Sequence, residues 1–286
     1  MDRAKIVGCL TLLLVAGCSR PARIVVGSKN FSEQVLLGEI LAQQIERRVG
    51  APVERKLNLG GTMLAHQALV KGDIDLFPEY TGTALTAVLK QAPVRDPVAA
   101  LEQVRAGYKQ WGLEWLKPFG FNNTFAMMIR GETARAANWK TLSEAAASQA
   151  WRLGVGYEFQ QRPDGLAGLT QAYGLRLSGD PVSMDLGLLY AALGGRKVDM
   201  IAANSTDGLA GAMDIVILDD DRHYFPPYEC AVVAREDTLA RYPKLRGALE
   251  ELSGKLPDAV MRKLNYEVDG KHRSVVQVAR EFLQSY

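Results

Sequence analysis

Short apolar runs alternate with longer segments of helical periodicity in the first third of the chain, and this alternation restricts the fold more than any other feature. Three runs predict strands: RIVVG at 23–27, PVERKLN at 52–58 and DIDLF at 73–77. A helix capped by Asn30 or Ser32 follows the first strand, and a second helix opens at Thr62 and ends near Gly72. The β-α-β-α-β order predicts an α/β protein with a parallel sheet and helices on both of its faces.

The second half of the chain predicts another α/β unit and then a return to the first. A long extended segment, FNNTFAMMIR at 121–130, leads into the second unit. Helical segments return near the C-terminus, at 237–253, 257–264 and 273–284. We predict one lobe from 22–124 plus 230–286 and a second lobe from 125–229, joined by two crossings that form a hinge.

The first twenty residues differ from the rest of the chain. Arg3 and Lys5 precede an apolar run at 6–16, which is too short to span a bilayer and is typical of a secretory signal. The run leads into LVAGC, which resembles a bacterial lipobox, where the chain is cut before the cysteine and the thiol is acylated. We predict a lipoprotein signal peptide over 1–17 and lipid attachment at Cys18. The exported protein would then be anchored to the cell membrane by its lipid alone and face the periplasm or the cell exterior. The alternative is a buried helix with an incidental cysteine.

Composition and missing motifs argue against several classes of function. With 48% hydrophobic and 23% charged residues, the 286-residue chain has an ordinary globular composition. A formal charge of +2 without a basic stripe argues against nucleic-acid binding. His66, His223 and His272 show no metal-ligand spacing, and Cys230 has no disulfide partner once Cys18 carries lipid. The chain also lacks G-x-S-x-G, H-E-x-x-H and C-x-x-C patterns, so we expect no metal, no cofactor and no enzymatic activity.

Eight polar or aromatic side chains fall at strand ends or turns, where open α/β sheets place their ligands: Lys29, Tyr80, Thr83, Phe125, Phe159, Arg162, Asn204 and Tyr228. Lys29 stands before a helix N-terminus, so its ammonium and the nearby backbone N–H groups suit an anion. Each residue also has a purely structural explanation. Thr83 suits a helix N-cap, Arg162 lies in a turn sequence (RPDG), and any single ring is as well explained by a core.

Taken together, seven motifs resemble the substrate-binding proteins of osmoprotectant ABC importers. They are GSKNFSEQ, GGTMLAHQAL, GDIDLFPEYTGTAL, FNNTFA, EFQQRPDG, NSTDG and YFPPY, in this order along the chain. The resemblance implies a type II periplasmic-binding-protein fold, in which two lobes close on a ligand in the cleft between them. It also implies a monomer that delivers glycine betaine, carnitine, choline or a related quaternary amine to an ABC permease.

The resemblance also assigns roles to the candidate residues. In the family, aromatic rings form a cage for a trimethylammonium group, and the matching positions are Tyr80, Phe125, Asn204 and Tyr228. A carboxylate on the ligand is held, in betaine binders, at positions that match Lys29, Thr83 and Arg162. Gly82 would let the turn between Tyr80 and Thr83 approach the ligand.

The chain departs from the family at two cage positions, where family members with a full cage have tyrosine. Phe125 keeps the aromatic face, but Asn204 removes a wall and adds an amide. Phe159 or Tyr157 would complete the cage, or else the cage is incomplete. An incomplete cage suits a bulkier betaine with its own hydrogen-bonding group, such as ergothioneine.

Three other interpretations stay open from the sequence. One is an exported enzyme, and another is a sensor domain of the same fold that acts on a membrane receptor. The third is a binding protein for a polar amino acid, whose α-amino group needs a carboxylate partner. Four residues could supply that carboxylate: Glu79, Glu158, Asp164 and Asp207.

Overall fold

The computed structural model describes residues 23–285, so the predicted signal peptide and Cys18 lie outside the described residues. The strands, in chain order, are β1 (Ile24–Gly27), β2 (Val53–Lys56), β3 (Leu76–Tyr80), β4 (Leu113–Asn122), β5 (Phe125–Arg130), β6 (Leu153–Val155), β7 (Val182–Ser183), β8 (Met200–Asn204), β9 (Ile215–Ile217) and β10 (Glu229–Arg235).

Thirteen α-helices lie between and after these strands in the described part of the chain. They are α1 (Ser32–Arg48), α2 (Thr62–Lys71), α3 (Thr81–Thr83), α4 (Pro97–Tyr108), α5 (Gly131–Ala137), α6 (Leu142–Ser148), α7 (Tyr157–Gln161), α8 (Leu166–Tyr173), α9 (Leu186–Gly194), α10 (Glu236–Arg241), α11 (Leu245–Glu250), α12 (Asp258–Asp269) and α13 (Val275–Gln284). A π-helical turn at Ala84–Val88 continues α3, and 3₁₀ turns lie at Lys109–Trp111 and Gly208–Gly211.

Two five-stranded sheets organise the molecule. The first has the order β2-β1-β3-β10-β4 and the second the order β7-β6-β8-β5-β9. In the first sheet β1 pairs in parallel with β2 and β3, as the β-α-β-α-β order predicts. The sheet as a whole is mixed, because β10 enters between β3 and β4 and pairs antiparallel with both. In the second sheet β5 is likewise antiparallel to β8 and β9.

The chain crosses between the two sheets twice. The first crossing is at residues 123–124, between β4 and β5, so the predicted extended segment is two strands in different sheets. The second crossing lies between β9 and β10. Two crossings joining two sheet-centred bodies are the arrangement that permits hinge closure.

Both faces of the first sheet are covered. Leu76 and Tyr80 of β3 face a core with the apolar side of α1, whereas Phe77 faces a second core beneath α2 and α4. This alternation follows from the two-residue period of a strand. Alternate side chains of β3 therefore pack against the helices on opposite faces of the sheet.

Local signals misplace some element ends. The N-cap of α1 is Phe31, which gives no side-chain cap, rather than Asn30 or Ser32. β3 runs on through Tyr80, so this ring ends a strand rather than following one in a turn. The predicted helix 237–253 is two helices, α10 and α11, with Pro243 between them, since proline lacks the N–H that a continuous helix requires.

Within residues 23–285 no helix is both long and apolar enough to cross a bilayer. The same residues contain no group of three or more His, Cys, Asp or Glu side chains placed to hold a metal ion.

Candidate functional site

One cavity between the two sheets brings all eight predicted site residues together. It has a volume of about 200 Å³. Its lining includes Lys29, Tyr80, Thr83, Phe125, Phe159, Arg162, Asn204 and Tyr228. These residues lie at or next to ends of β1, β3, β5, β8 and β10 and around α7, because the strand ends of both sheets converge on the cleft.

One wall of the cavity is a cluster of rings around Phe125. Its ring centroid lies 4.8 Å from that of Phe159 and 5.6 Å from that of Tyr228, and 5.8 Å from that of Phe225, which does not line the cavity. Phe159 and Tyr228 are almost fully buried. Phe125 starts β5, whereas Tyr228 precedes β10, so the wall is built at the two crossings of the chain. The contacts of Phe125 with Phe159 and Tyr228 are edge-to-face, with interplanar angles of 71° and 74°, the geometry that aromatic pairs prefer.

A second wall consists of Tyr80 and Phe31. Their rings are stacked, with centroids 6.3 Å apart, and both line the cavity. Sequence reasoning missed Phe31, although it lies inside the motif GSKNFSEQ. The available signal was its position directly before α1, where an apolar residue provides no cap and must be explained by packing.

Lys29 is a buried cation with a buried partner. Its Nζ donates to Oε1 of Glu79 at 2.5 Å and to Oγ1 of Thr62 at 3.2 Å. The same Nζ lies 4.9 Å from the ring centroid of Tyr80. Burial raises the pKa of Glu79, and the Lys29 ammonium acts against that rise. The ion pair therefore holds Lys29 in place under the Tyr80 ring.

Arg162 bridges the two halves of the molecule. Its Nε and Nη2 donate to the carboxylate of Asp164 at 2.9 and 2.5 Å, and its Nη1 donates to Oγ1 of Thr83 at 2.9 Å. Burial opposes ionisation of Asp164, but the guanidinium of Arg162 outweighs it and lowers the pKa of Asp164 below its ordinary value. Thr83 accepts this bond from within α3, and its side chain makes no cap hydrogen bond to the π-helical turn that follows it.

A further polar contact closes the cleft on another side. Both carboxylate oxygens of Glu158, in α7, accept from Thr62: Oε1 from the backbone N–H at 2.5 Å and Oε2 from the hydroxyl at 3.0 Å. Thr62 begins α2 in the other half, so this contact and the Arg162–Thr83 bond join the two bodies. The two bodies are therefore hydrogen-bonded to each other at two places around the cavity.

Asn204 lies at the position where the resemblance predicts a further ring. It pairs with Phe125 across β5 and β8, which places its side chain next to the aromatic wall. Its backbone N–H donates to Asp207 at 3.1 Å. Of the two proposed replacements for the missing ring, Phe159 is buried beside Phe125, whereas Tyr157 is 57% exposed at the rim.

The expected role of Gly82 is not what the geometry shows. Gly82 does not line the cavity. A Cβ built there would lie 2.7 Å from the carbonyl oxygen of Pro227 and 2.7 Å from the ring of Tyr228. The glycine therefore lets α3 approach the aromatic wall rather than the ligand.

A cleft between two α/β bodies, walled by rings and crossed by the hydrogen bonds of Arg162 and Glu158, is the arrangement of a solute-binding protein. The sequence model of one family, the substrate-binding domain of ABC-type glycine betaine transport systems, matches residues 22–285. This chain belongs to that family. Its type II periplasmic-binding-protein fold and its substrate-binding role in an ABC importer follow from that membership.

Individual relatives agree with this assignment. The carnitine transport binding protein OpuCC of Listeria monocytogenes is 34% identical, over 95% of this chain and 92% of that protein. The ergothioneine transport permease/ergothioneine binding protein EgtU of Helicobacter pylori is 36% identical, over 91% of this chain and 47% of that longer protein. A crystal structure described as a glycine betaine/carnitine/choline ABC transporter is 34% identical, with a TM-score of 0.77 over 92% of this chain and 98% of that one.

Proposed function

We propose that this protein captures a betaine-type solute, with a quaternary ammonium group and a carboxylate, and delivers it to an ABC permease. Glycine betaine and carnitine have both groups, and choline has the ammonium alone. The observation that carries the proposal is a cavity whose two aromatic walls stand beside an arginine and a lysine. The rings already attract cations of the protein, since Cζ of Arg162 lies 5.3 Å from the Phe125 centroid.

The aromatic walls suit the ammonium end of such a ligand. A quaternary ammonium has no N–H, so acceptors cannot bind it by hydrogen bonds. Ring faces attract it through their quadrupole, by about 0.5–2 kcal/mol for each well-placed ring. We assign this role to Tyr80, Phe125, Phe159 and Tyr228, with Phe31 behind Tyr80.

The carboxylate end needs charge-assisted donors. Lys29, Thr83 and Arg162 line the same cavity as the rings, and we assign them this role. Arg162 gives its Nε and Nη2 to Asp164 and one Nη1 proton to Thr83, which leaves the second Nη1 proton for a ligand oxygen.

A bulkier betaine is the second candidate, and Asn204 favours it. The amide stands where a cage ring would fill space, and it offers hydrogen bonds that a trimethylammonium group cannot use. Ergothioneine is a betaine of this kind, and the relative from Helicobacter pylori is named for transporting it.

The four carboxylates named from the sequence weigh against a polar amino acid as ligand. Glu79, Asp164 and Asp207 do not line the cavity. Glu158 does, but both of its oxygens already accept from Thr62. None of these four carboxylates is therefore free to pair with an α-amino group. Asp185 also lines the cavity and makes no side-chain cap bond to α9, so amino acids belong among the ligands to be titrated.

The remaining properties belong to the same proposal. The protein would be a monomer without enzymatic activity, anchored by lipid at Cys18 after removal of residues 1–17. The lobes 22–124 plus 230–286 and 125–229 would move as units about the two crossings. The hydrogen bonds of Arg162 and Glu158 between the two bodies support such a closing motion.

Calorimetry on the chain from Ser19 onward tests the ligand class. The protein is refolded once to remove carried ligand and is titrated with glycine betaine, carnitine, choline, ergothioneine and several amino acids. Micromolar binding of a quaternary amine is expected, and the ranking shows what Asn204 selects. Binding of amino acids alone, by protein shown to be folded, would overturn the proposal.

Substitution of Arg162 tests the carboxylate end. Arg162→Ala is expected to weaken glycine betaine about tenfold or more and choline much less, because choline has no carboxylate to lose a charge-assisted donor. Arg152→Ala is the control, since Arg152 pairs with Asp199 outside the cavity. Equal losses for both ligands would mean that Arg162 acts on closure of the cleft alone.

A further inference from the structure

Glu33 is a buried carboxylate that lies just behind the cavity and is not one of the residues lining it. It belongs to the first turn of α1 and is only 3% exposed. Its Oε1 accepts from the hydroxyl of Tyr80 at 2.7 Å and from Nδ2 of Asn123 at 2.8 Å. Its Oε2 accepts from the hydroxyl of Thr206 at 2.6 Å and from Nδ2 of Asn265 at 2.7 Å. Four donors fill the acceptor sites of one carboxylate.

The direction of these bonds is set by the surroundings. Nδ2 of Asn265 also donates to the backbone carbonyl of Thr206 at 2.9 Å, so this atom is the amide nitrogen. It must therefore donate to Glu33 as well, which makes the carboxylate the acceptor. Burial raises the pKa of Glu33, and the donated hydrogen bonds act against that rise.

The four partners come from different parts of the fold. Tyr80 ends β3 of the first sheet, and Asn123 lies on the first crossing. Thr206 follows β8 of the second sheet, and Asn265 belongs to α12. One carboxylate thus joins a proposed cage ring to the crossing and to the other half of the molecule.

We propose that Glu33 is a positioning residue of the binding site, which holds the Tyr80 ring in its ligand-ready orientation and makes that orientation depend on Thr206 of the second half. The proposal rests on the proposed function, because Tyr80 is the ring assigned to the quaternary ammonium. When the Thr206 hydroxyl moves away from the carboxylate, Glu33 has one hydrogen-bond donor fewer, and its hydrogen bond with the Tyr80 hydroxyl changes. The cage and the closure of the cleft are then coupled through one buried group.

Thr206 offers a test that leaves both Glu33 and the cavity lining intact. Thr206→Val removes the hydroxyl donor, and we expect glycine betaine and choline to bind about tenfold more weakly. Thr206→Ser keeps the hydroxyl and should restore the affinity. Thr238→Val is the matched control: Thr238 is as buried as Thr206 and donates to Asp75 at the same distance of 2.6 Å, away from the cavity. Thr238→Val should lower stability without changing the affinity for glycine betaine or choline.

A double-mutant cycle separates positioning from general destabilisation. Tyr80→Phe keeps the ring and removes the bond to Glu33. If both residues act through Glu33, the double variant Tyr80→Phe with Thr206→Val binds about as weakly as either single variant. If the loss of affinity in the double variant equals the product of the two single losses, the residues act independently and the proposal is overturned. Unchanged affinity in Thr206→Val would overturn it as well.

A ligand-free measurement keeps this test distinct from that of the ligand class. In protein carrying ¹³C-labelled tyrosine, the ring signal that disappears in Tyr80→Phe belongs to Tyr80. Thr206→Val is expected to shift that signal, whereas Thr238→Val is not. If wild-type protein binds neither amine, the proposed function fails for these ligands, and the ring signal alone decides the role of Glu33. An unshifted signal in Thr206→Val refutes it.

Discussion

At the scale of single residues, the shape of the cavity depends on residues that do not line it. Gly82 is the simplest case, because its missing side chain lets the Tyr228 ring and the Pro227 carbonyl approach α3. The reason is space rather than backbone conformation, since Gly82 is not among the glycines with positive φ. Tyr228 in turn donates its hydroxyl to Asp164 at 2.5 Å, so its ring and the Arg162 ion pair share one support.

Replacing Gly82 tests this dependence. Gly82→Ala is expected to displace the Tyr228 ring, cost about 1–3 kcal/mol of stability and weaken quaternary-amine binding. Thermal unfolding and calorimetry measure the two effects. Gly187→Ala is the control, because a methyl group there meets nothing within 4 Å. Unchanged affinity in Gly82→Ala would show that Tyr228 tolerates the shift.

At the scale of elements, the turn after β8 combines the site with a titrating group. Asp207 accepts from the backbone N–H of Asn204 at 3.1 Å and from the hydroxyl of Tyr190 at 2.9 Å. Burial raises the pKa of Asp207 to about 7 from its ordinary value of 3.8. The carboxyl group under Asn204 therefore changes charge near neutral pH.

This shift predicts a pH dependence of stability. Between pH 3.8 and about 7 the native state binds more protons at Asp207 than the unfolded chain does, so this group makes stability fall as pH rises. Its contribution has a slope of at most about 1.4 kcal/mol per pH unit. Asp207→Asn removes the titration. In urea unfolding at several pH values, the free energy of unfolding of this variant should therefore fall less with rising pH, or rise more, than that of wild type across this window. An identical slope would mean that Asp207 titrates normally.

At the scale of the whole molecule, α12 joins the C-terminal helices to the second sheet. The 3₁₀ turn at Gly208–Gly211 packs against this helix, and Arg262 of α12 donates to the carbonyl of Ser205 at 3.3 Å. The closest approach is at Gly208, where a built Cβ would lie 2.2 Å from the backbone nitrogen of Tyr266. The two halves therefore meet along α12 as well as across the cavity.

Two glycines of the same turn provide a matched pair. Gly208→Ala forces α12 away from the turn and is expected to lower the free energy of unfolding by about 1–3 kcal/mol. Gly211→Ala meets nothing within 4 Å and should lie within about 0.5 kcal/mol of wild type. Small-angle scattering of both variants reports whether the halves separate. Equal stability of the two variants would show that the turn can move without cost.

Local patterns in the sequence determined the element order and placed the candidate residues at strand ends. Apolar periodicity marks β1, α1 and β2, and Gly72 ends α2 in the left-handed conformation that glycine favours. Since the strand ends of an α/β sheet converge, residues named from their positions beside strands lie in one cavity. These features depend on near neighbours in the chain, which a sequence displays directly.

Only the tertiary structure decided the partners of those residues and the direction of β10. Lys29 pairs with Glu79 at a separation of 50 residues, and Glu33 meets Thr206 across 173. No local pattern encodes such contacts, because they depend on how two sheets and their helices pack after the chain has crossed between them. Phe31, Gly82 and Glu33 matter for the same reason: each acts through a side chain that is distant in sequence and adjacent in the fold.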